Sequence, residues 1–411
     1  MTSAAPSVQS ADEFRVRARD WLKANARVRD PDDTGHRRFD LTQAKEFQAA
    51  MHDAGLAGIT WPVEYGGQGL GHAELLAFNE EAQPYDLPTG AFMIGLGMCG
   101  PTVLDLGTEE LKRRYIRPML RGEEIWCQLF SEPGAGSDVA GLQTRAVRDG
   151  DSWVVNGQKV WTSGAQHCDY GIVIARTDPD VPKHRGITMF VIDMHAPGVT
   201  VRPLRVMTGE TPFNEVFFED VRIPGDHVVG NVNEGWQASV VTLNHERISI
   251  GTSVQSKQNP LGFTALAELA ASRGEADDPL LRQELVDVYV RERLLDLYGA
   301  RMRQQAQAGV QPGARGSVAK LAGALLAARA ARVAARVAGP DAVAHDPDDR
   351  DMTRLLTAMN GTPSSAIAGG TNEIQRNIIG ERVLGLPKEA RMDTTVPFRD
   401  LKVGTQREAN Q

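Results

Sequence analysis

Cysteine is scarce. The 411 residues contain three, Cys99, Cys127 and Cys168, far apart in the chain and without a C-x-x-C pair. That excludes a disulfide framework and fits a reducing compartment. Long apolar runs are missing too. The best candidates, residues 91–99 and 321–328, contain glycine and fall well short of the roughly 20 residues of a membrane span. The opening stretch, MTSAAPSVQSADEF, has neither the basic nor the apolar block of a secretory signal, and it turns acidic too early for a transit peptide. Basic charge is in deficit: 45 Lys and Arg against 53 Asp and Glu leave a net charge of −8. A chain with that balance is not a general nucleic-acid binder. The nine histidines show no H-x-H or H-x-x-x-H spacing, and the acidic run 346–351 lacks the Gly and terminal Glu of a calcium loop. No metal site is therefore expected. What remains is an ordinary globular balance, 41 % hydrophobic and 24 % charged, and length for two or three domains of a cytoplasmic protein.

Hydrophobic periodicity divides the chain. Residues 12–25 and 41–54 carry apolar side chains at helical spacing (Phe14, Val16, Trp21 and Leu22; then Leu41, Ala44, Phe47 and Met51), and Gly55 follows the second run. Thr108, Glu109 and Glu110 open a helix whose apolar face runs through Leu111, Tyr115, Ile116, Met119 and Leu120. From about Trp126 to Pro224 the segments become short and β-branched: 153–155 with an Asn156-Gly157 turn, 171–175, 188–192, 199–201 and 216–218. This stretch reads as one β-barrel or sandwich. The helical period returns after Gly235, at 236–250, 261–271, 280–307 and 318–337. In the last of these, Arg329, Arg332 and Arg336 share a face, which reads either as a solvated or intersubunit surface or as a ligand patch. The expected fold class is α+β: an N-terminal helical domain (1–125), a middle β domain (126–235), a C-terminal helical bundle (236–395) and a tail (396–411), with weak structure from Thr394 onward.

Four motifs carry chemical content. Ser131-Glu132-Pro133-Gly134-Ala135-Gly136-Ser137-Asp138 follows an apolar strand, and its glycines suit either a tight turn or a loop whose amides approach a phosphate. Val139 breaks both a G-x-G-x-x-G fingerprint and a G-x-S-x-G elbow. Lys159-Val160-Trp161-Thr162-Ser163-Gly164 closes a hairpin, and Trp161 is either core or the wall of a site for a planar heterocycle. Asn244-His245-Glu246-Arg247 interrupts an apolar helix. Glu246 is either one half of a solvated charge pair or a desolvated carboxylate able to act as a general base. Gly369-Gly370-Thr371-Asn372-Glu373-Ile374-Gln375-Arg376 puts small residues ahead of a helix N-terminus, a favourable place for an anion.

In order and spacing, these segments resemble the acyl-CoA dehydrogenase family over nearly the whole chain. The resemblance implies an N-terminal helical domain, a β-barrel-like middle domain, a C-terminal four-helix bundle, FAD, and assembly as a dimer of dimers. It also implies roles. Gln128, Phe130 and Ser131 lie along the flavin's pyrimidine edge, and Gly136 and Ser137 near the FAD pyrophosphate, with Ser137 shared with the substrate. Trp161 and Ser163 stand against the ring, Thr371 and Glu373 reach the ADP part, and Arg273 contacts FAD from a neighbouring subunit. Asn244 and Arg247 line the thioester and pantetheine channel. The backbone N–H of Gly369 helps grip the thioester carbonyl.

Much of the family carries its catalytic Glu two residues before the Thr of the G-T-x-x-I-Q-R motif, where this chain has Gly369. A smaller branch, similar to isovaleryl-CoA and long-chain enzymes, places the Glu on a helix immediately before an Arg, as Glu246 stands before Arg247. The resemblance thus implies α-proton abstraction by Glu246 from an acyl-CoA, hydride transfer to flavin, and reoxidation by electron-transfer flavoprotein. Two segments depart from the family pattern, 272–279 and 338–342, and both normally help hold FAD across a subunit boundary. A homo-oligomer (dimer or tetramer) and a heterotetramer with a paralogous subunit therefore both stay open. An oxygen-using acyl-CoA oxidase or monooxygenase and a non-catalytic subunit are the alternatives.

Overall fold

The computed structural model describes residues 10–29, 40–252, 259–308, 313–346, 348–389 and 393–401. The N-terminal region contains helices α1 (Ala11–Asn25), α2 (Leu41–Asp53), α3 (His72–Ala82), α4 (Gly100–Leu106) and α5 (Glu109–Leu120), with a ribbon of two short strands, β1 (Arg27–Val28) and β2 (Tyr85–Asp86). Helix α1 starts on a reciprocal Ser10–Glu13 capping box and buries Phe14, Ala18 and Leu22, four residues apart. Helix α5 is capped by Thr108, whose hydroxyl accepts from Leu111 N, and buries the face read from the sequence.

The middle region is one seven-stranded curled sheet of β3 (Trp126–Leu129), β4 (Arg145–Asp149), β5 (Ser152–Ser163), β6 (Tyr170–Arg176), β7 (Ile187–Asp193), β8 (Val199–Leu204) and β9 (Phe213–Pro224). β6 runs parallel to β3 and, at its end, to β4; β7 lies antiparallel along its other side. β5 joins β4 to β9, and β8 closes the order.

Asn156-Gly157 is not a hairpin turn. The chain runs straight through it within β5, and the β4–β5 turn lies at Gly150, where φ is +58°. A glycine is required at 157 for a different reason. A Cβ there would stand 2.4 Å from the Thr144 hydroxyl oxygen, so this is a close backbone approach rather than a reversal. Opposite it the β5–β9 register shifts between Val155 and Gly157, and it shifts again between Lys159 and Thr162. Asp220 (φ +51°) and Trp161 (φ +62°) lie within these two shifts.

The C-terminal region comprises α6 (Gly235–Thr252), α7 (Phe263–Ser272), α8 (Pro279–Gln307), α9 (Gly316–Ala338), α10 (Arg350–Ser365) and α11 (Asn372–Ile378). α9 packs against α6, α8 and α10, and its alanines let these axes come close. Two arginines of that face of α9 are engaged: Arg329 pairs with Asp287 of α8, and Arg336 with Glu284 of α8 and with Asp278 just before it. Helix α10 is capped by Asp349, inside the acidic run that masks its start in the sequence.

The three regions share a core. Tyr115 and Ile116 of α5, Trp126, Phe130 and Ala135, Ile172, Val191 and Ala238 of α6 form one buried cluster, with Leu243 packed against it. Two polar ties reinforce it between α4 and α6, a buried Thr102–Thr242 hydroxyl pair at 3.0 Å and Asp105–His245 at 2.8 Å. The segment from Asp393 to Leu401 contradicts the expectation of weak structure. It carries a short 3₁₀ turn at Phe398–Asp400 and buries Phe398.

Candidate active site

The first half of the site is built where β3 ends beside β5. Ser131 O accepts from Val160 N at 2.9 Å, so the glycine loop and the Trp161 segment are stitched together. Beneath them lies a buried ion pair. Lys159 Nζ donates to Glu132 Oε1 (2.8 Å) and to Phe130 O (3.0 Å). The Glu132 carboxylate also accepts from Gln143 N (2.6 Å) and Thr144 N (3.0 Å). Burial raises the Glu132 carboxyl, but Lys159 and these donors outweigh it and hold it below the ordinary value. Burial likewise pushes the Lys159 ammonium down, against the pull of Glu132. The pair thus fixes three points of backbone, Phe130 O, Gln143 N and Thr144 N.

On this base Gln128 is half-buried on β3, Phe130 is buried, and Gly136 and Ser137 are exposed on the loop. A Cβ at Gly136 would meet nothing within 4 Å, so the loop's outer face is open. Trp161 is 59 % exposed despite its size and its left-handed backbone. A bulky residue held at positive φ is strained, and such strain persists where the surroundings impose it. The next residue, Thr162, is buried with its hydroxyl oxygen unpartnered. Ser163 is half-buried at the strand end. A flat exposed indole followed by the half-buried Ser163 fits a planar heterocycle with a polar edge.

The second half is formed by α6 and the turn before α11. Ser239 and Thr242 are buried on α6, and Glu246, four residues beyond Thr242, lies on the same face and is partly buried. Gly369 (φ +64°) and Gly370 (φ +91°) form the turn. Gln375 Nε2 donates to Gly369 O at 2.7 Å, and Lys320 Nζ of α9 donates to Gly370 O. Burial lowers the Lys320 ammonium, while the carboxylates of Glu373 and Glu246 pull it back up. Lys320 thus ties the Gly369–Gly370 turn to α9, the helix that also packs against α6. Sequence reasoning missed it, although it is the one charged residue between Arg315 and Arg329 of an Ala-rich helix.

The other expected residues fall as follows. The Thr371 hydroxyl caps α11 by accepting from Ile374 N (3.2 Å), and Glu373 is exposed and paired with Arg376. Asn244 is exposed. The side chain of Arg247 lies outside the described residues. Arg273 is engaged within its own chain, by Ala338 O at 3.0 Å and the Asp341 carboxylate. This contact joins the two segments, 272–279 and 338–342, that depart from the family pattern.

Comparison with known proteins agrees with this architecture. Residues 9–123, 127–221 and 233–384 match, in order, the family models described as acyl-CoA dehydrogenase N-terminal, middle and C-terminal domain. Acyl-CoA dehydrogenase IpdE1 of Mycobacterium tuberculosis is 37 % identical over 389 residues, covering 93 % of this chain and 100 % of that one. Among solved structures, the Tcur3481-Tcur3483 steroid ACAD aligns with a TM-score of 0.74 at 29 % identity, over 95 % of this chain and 100 % of that one. The ChsE4-ChsE5 complex of Mycobacterium tuberculosis gives 0.72 at 32 %, over 94 % and 100 %. The chain belongs to the acyl-CoA dehydrogenase family, oxidoreductases that act on CH–CH donors.

Proposed function

We propose that this chain binds FAD and dehydrogenates a bulky acyl-CoA thioester to the trans-2-enoyl-CoA, with Glu246 as the base. The observation that carries the reading is a partly buried Glu246 on α6 together with a Gly369–Gly370 turn that carries no carboxylate and is held from α9, the helix packed against α6.

The donor set fits FAD: an open glycine loop for the pyrophosphate, and the exposed face of Trp161 with the half-buried Ser163 for the ring system. FAD, when bound, supplies the hydride acceptor. The chain's own residues do the rest. Glu246 takes the α-proton onto its carboxylate from a site that burial keeps poor in water. The Gly369 N–H donates to the thioester oxygen as negative charge builds there. Gln375 and Lys320 hold the two carbonyls of that turn, so the amide needs no rearrangement when the charge develops. Asn244 and Arg247 flank the acyl-CoA channel. Electron-transfer flavoprotein is the proposed acceptor.

Bulk in the acyl group is supported by relatives whose names include a steroid ACAD. A heteromeric assembly is supported by the two-component names of those relatives and by Arg273, already engaged in its own chain by Asp341. The decisive variant is Glu246→Gln. It is expected to keep FAD yet lose acyl-CoA-dependent flavin bleaching by roughly 10²–10⁴-fold, the range for a general base. Bleaching at near wild-type rate would remove Glu246 from the mechanism. A panel of acyl-CoAs read by the same bleaching identifies the chain, and a colourless purified protein would favour the non-catalytic subunit.

A further inference from the structure

The loop between β6 and β7 carries Lys183, a lysine only 6 % exposed. Its ammonium meets both oxygens of Asp138, at 2.9 and 2.8 Å, and the Asp393 carboxylate at 2.5 Å. Asp138 ends the glycine loop, one residue after Ser137; Asp393 belongs to the C-terminal segment. A second buried cation runs parallel. Arg176, at the end of β6, donates to Ala140 O and Lys183 O, and its guanidinium lies 3.7 Å from the centre of the Phe398 ring.

The C-terminal segment is itself pinned to the 177–186 loop. Phe398 N donates to Val181 O (2.9 Å), Arg399 N to Pro179 O (3.0 Å), and Arg399 pairs with Asp180 (2.9 Å). Two buried cations thus each bridge the C-terminal segment to the loop spanning residues 132–141.

We propose that residues 393–401 are a strap that sets the glycine loop, and that Lys183 is a positioning residue for the anionic part of the ligand that loop holds. The inference rests on the reading of that loop as the FAD pyrophosphate site. Two physical effects support it. A buried cation is costly unless its partners stay in place, so Lys183 and Arg176 hold the loop only while Asp393 and Phe398 complete their shells. Asp138 would also present a negative charge beside a pyrophosphate, and Lys183 cancels it at contact distance.

The test uses the full-length holoprotein and its deflavinated form, in Lys183→Met, Lys183→Arg and Phe398→Ala. Two quantities are read, amide hydrogen exchange over residues 133–141 and the dissociation constant for FAD. Lys183→Met and Phe398→Ala should each speed loop exchange and weaken FAD by about tenfold, the loss of one charge-assisted contact. Lys183→Arg, which keeps the charge, should stay near wild type. Loop exchange unchanged in Phe398→Ala overturns the strap. Faster exchange with unaltered FAD affinity leaves the strap standing and overturns the assignment of the loop to the cofactor. Should Lys183→Met fail to fold, Phe398→Ala carries both readings, because it leaves every ion pair in place.

Discussion

Lys159 shows how a site residue can matter without touching a ligand. Its ammonium and the Glu132 carboxylate are both buried, and each is the other's chief compensation. Lys159→Met should therefore cost about 3–5 kcal/mol in chemical denaturation, because it strands a buried carboxylate. Adding Glu132→Gln should recover part of that loss. His227 gives a pH signature. Burial against Tyr115 holds its imidazole below the usual 6.5, against Asp226, which raises it. As pH falls, the unfolded chain takes up this proton first. The stability contribution is complete above 6.5 and drains away as pH drops toward the folded value. His227→Gln should flatten the dependence of the thermal midpoint between pH 7 and 5. At this scale the motifs were legible from the sequence: Trp161, Glu246 and the Gly369-Gly370 turn were all singled out. Lys159, Lys183 and Lys320 were not read as functional, because each depends on a partner at least 27 residues away in the chain.

At the level of elements, periodicity located the long helices within a few residues, and it failed where the pattern is broken. α10 begins in an acidic run. β5 contains the dipeptide Asn156-Gly157, which favours hairpin turns but here sits in a bulged ladder. The two register shifts in β5–β9 are of opposite sense, the first placing an extra residue on β9 and the second on β5. Between them the ladder runs one residue out of step, and beyond Thr162 it is back. The second shift also swaps the buried parity of β5 from Trp153, Val155 and Lys159 to Val160 and Thr162, leaving Trp161 outside. Deleting Trp161 alone should misregister the strand end and lower the thermal midpoint. Deleting Asp220 as well should restore part of the loss. Equal melting of the two deletants would show that the bulges are independent.

For the molecule as a whole, α8 presents Val286, Tyr289, Val290, Leu294 and Leu297 on one exposed face, each at least 46 % accessible. A stripe of that size is ordinarily covered. Native mass spectrometry of the wild-type chain, alone and with a paralogous subunit, should show an assembly that Leu294→Asp weakens by roughly tenfold or more, as for a hot-spot residue. A monomer unaffected by either change would show that the stripe is not an interface. The sequence divided this chain correctly into helical, β and helical stretches, but composition and period are silent on how three such regions share one core. That knowledge came only with the packing of Phe130, Ala135 and Ala238 into a common cluster.

The ties between α4 and α6 bear on how the protein comes together. Thr102–Thr242 and Asp105–His245 each span 140 residues, so the whole middle sheet is a loop closed by two helices that pack as neighbours. Closing a loop of that length sets a large entropic toll against a few local contacts. The helical body is thus complete only once residues from both sides of the sheet in sequence have met. High contact order makes such a chain slow to fold. A nascent chain released before α6 emerges would expose the α4 and α5 side of its core, and chaperones or a partner subunit would meet that surface first.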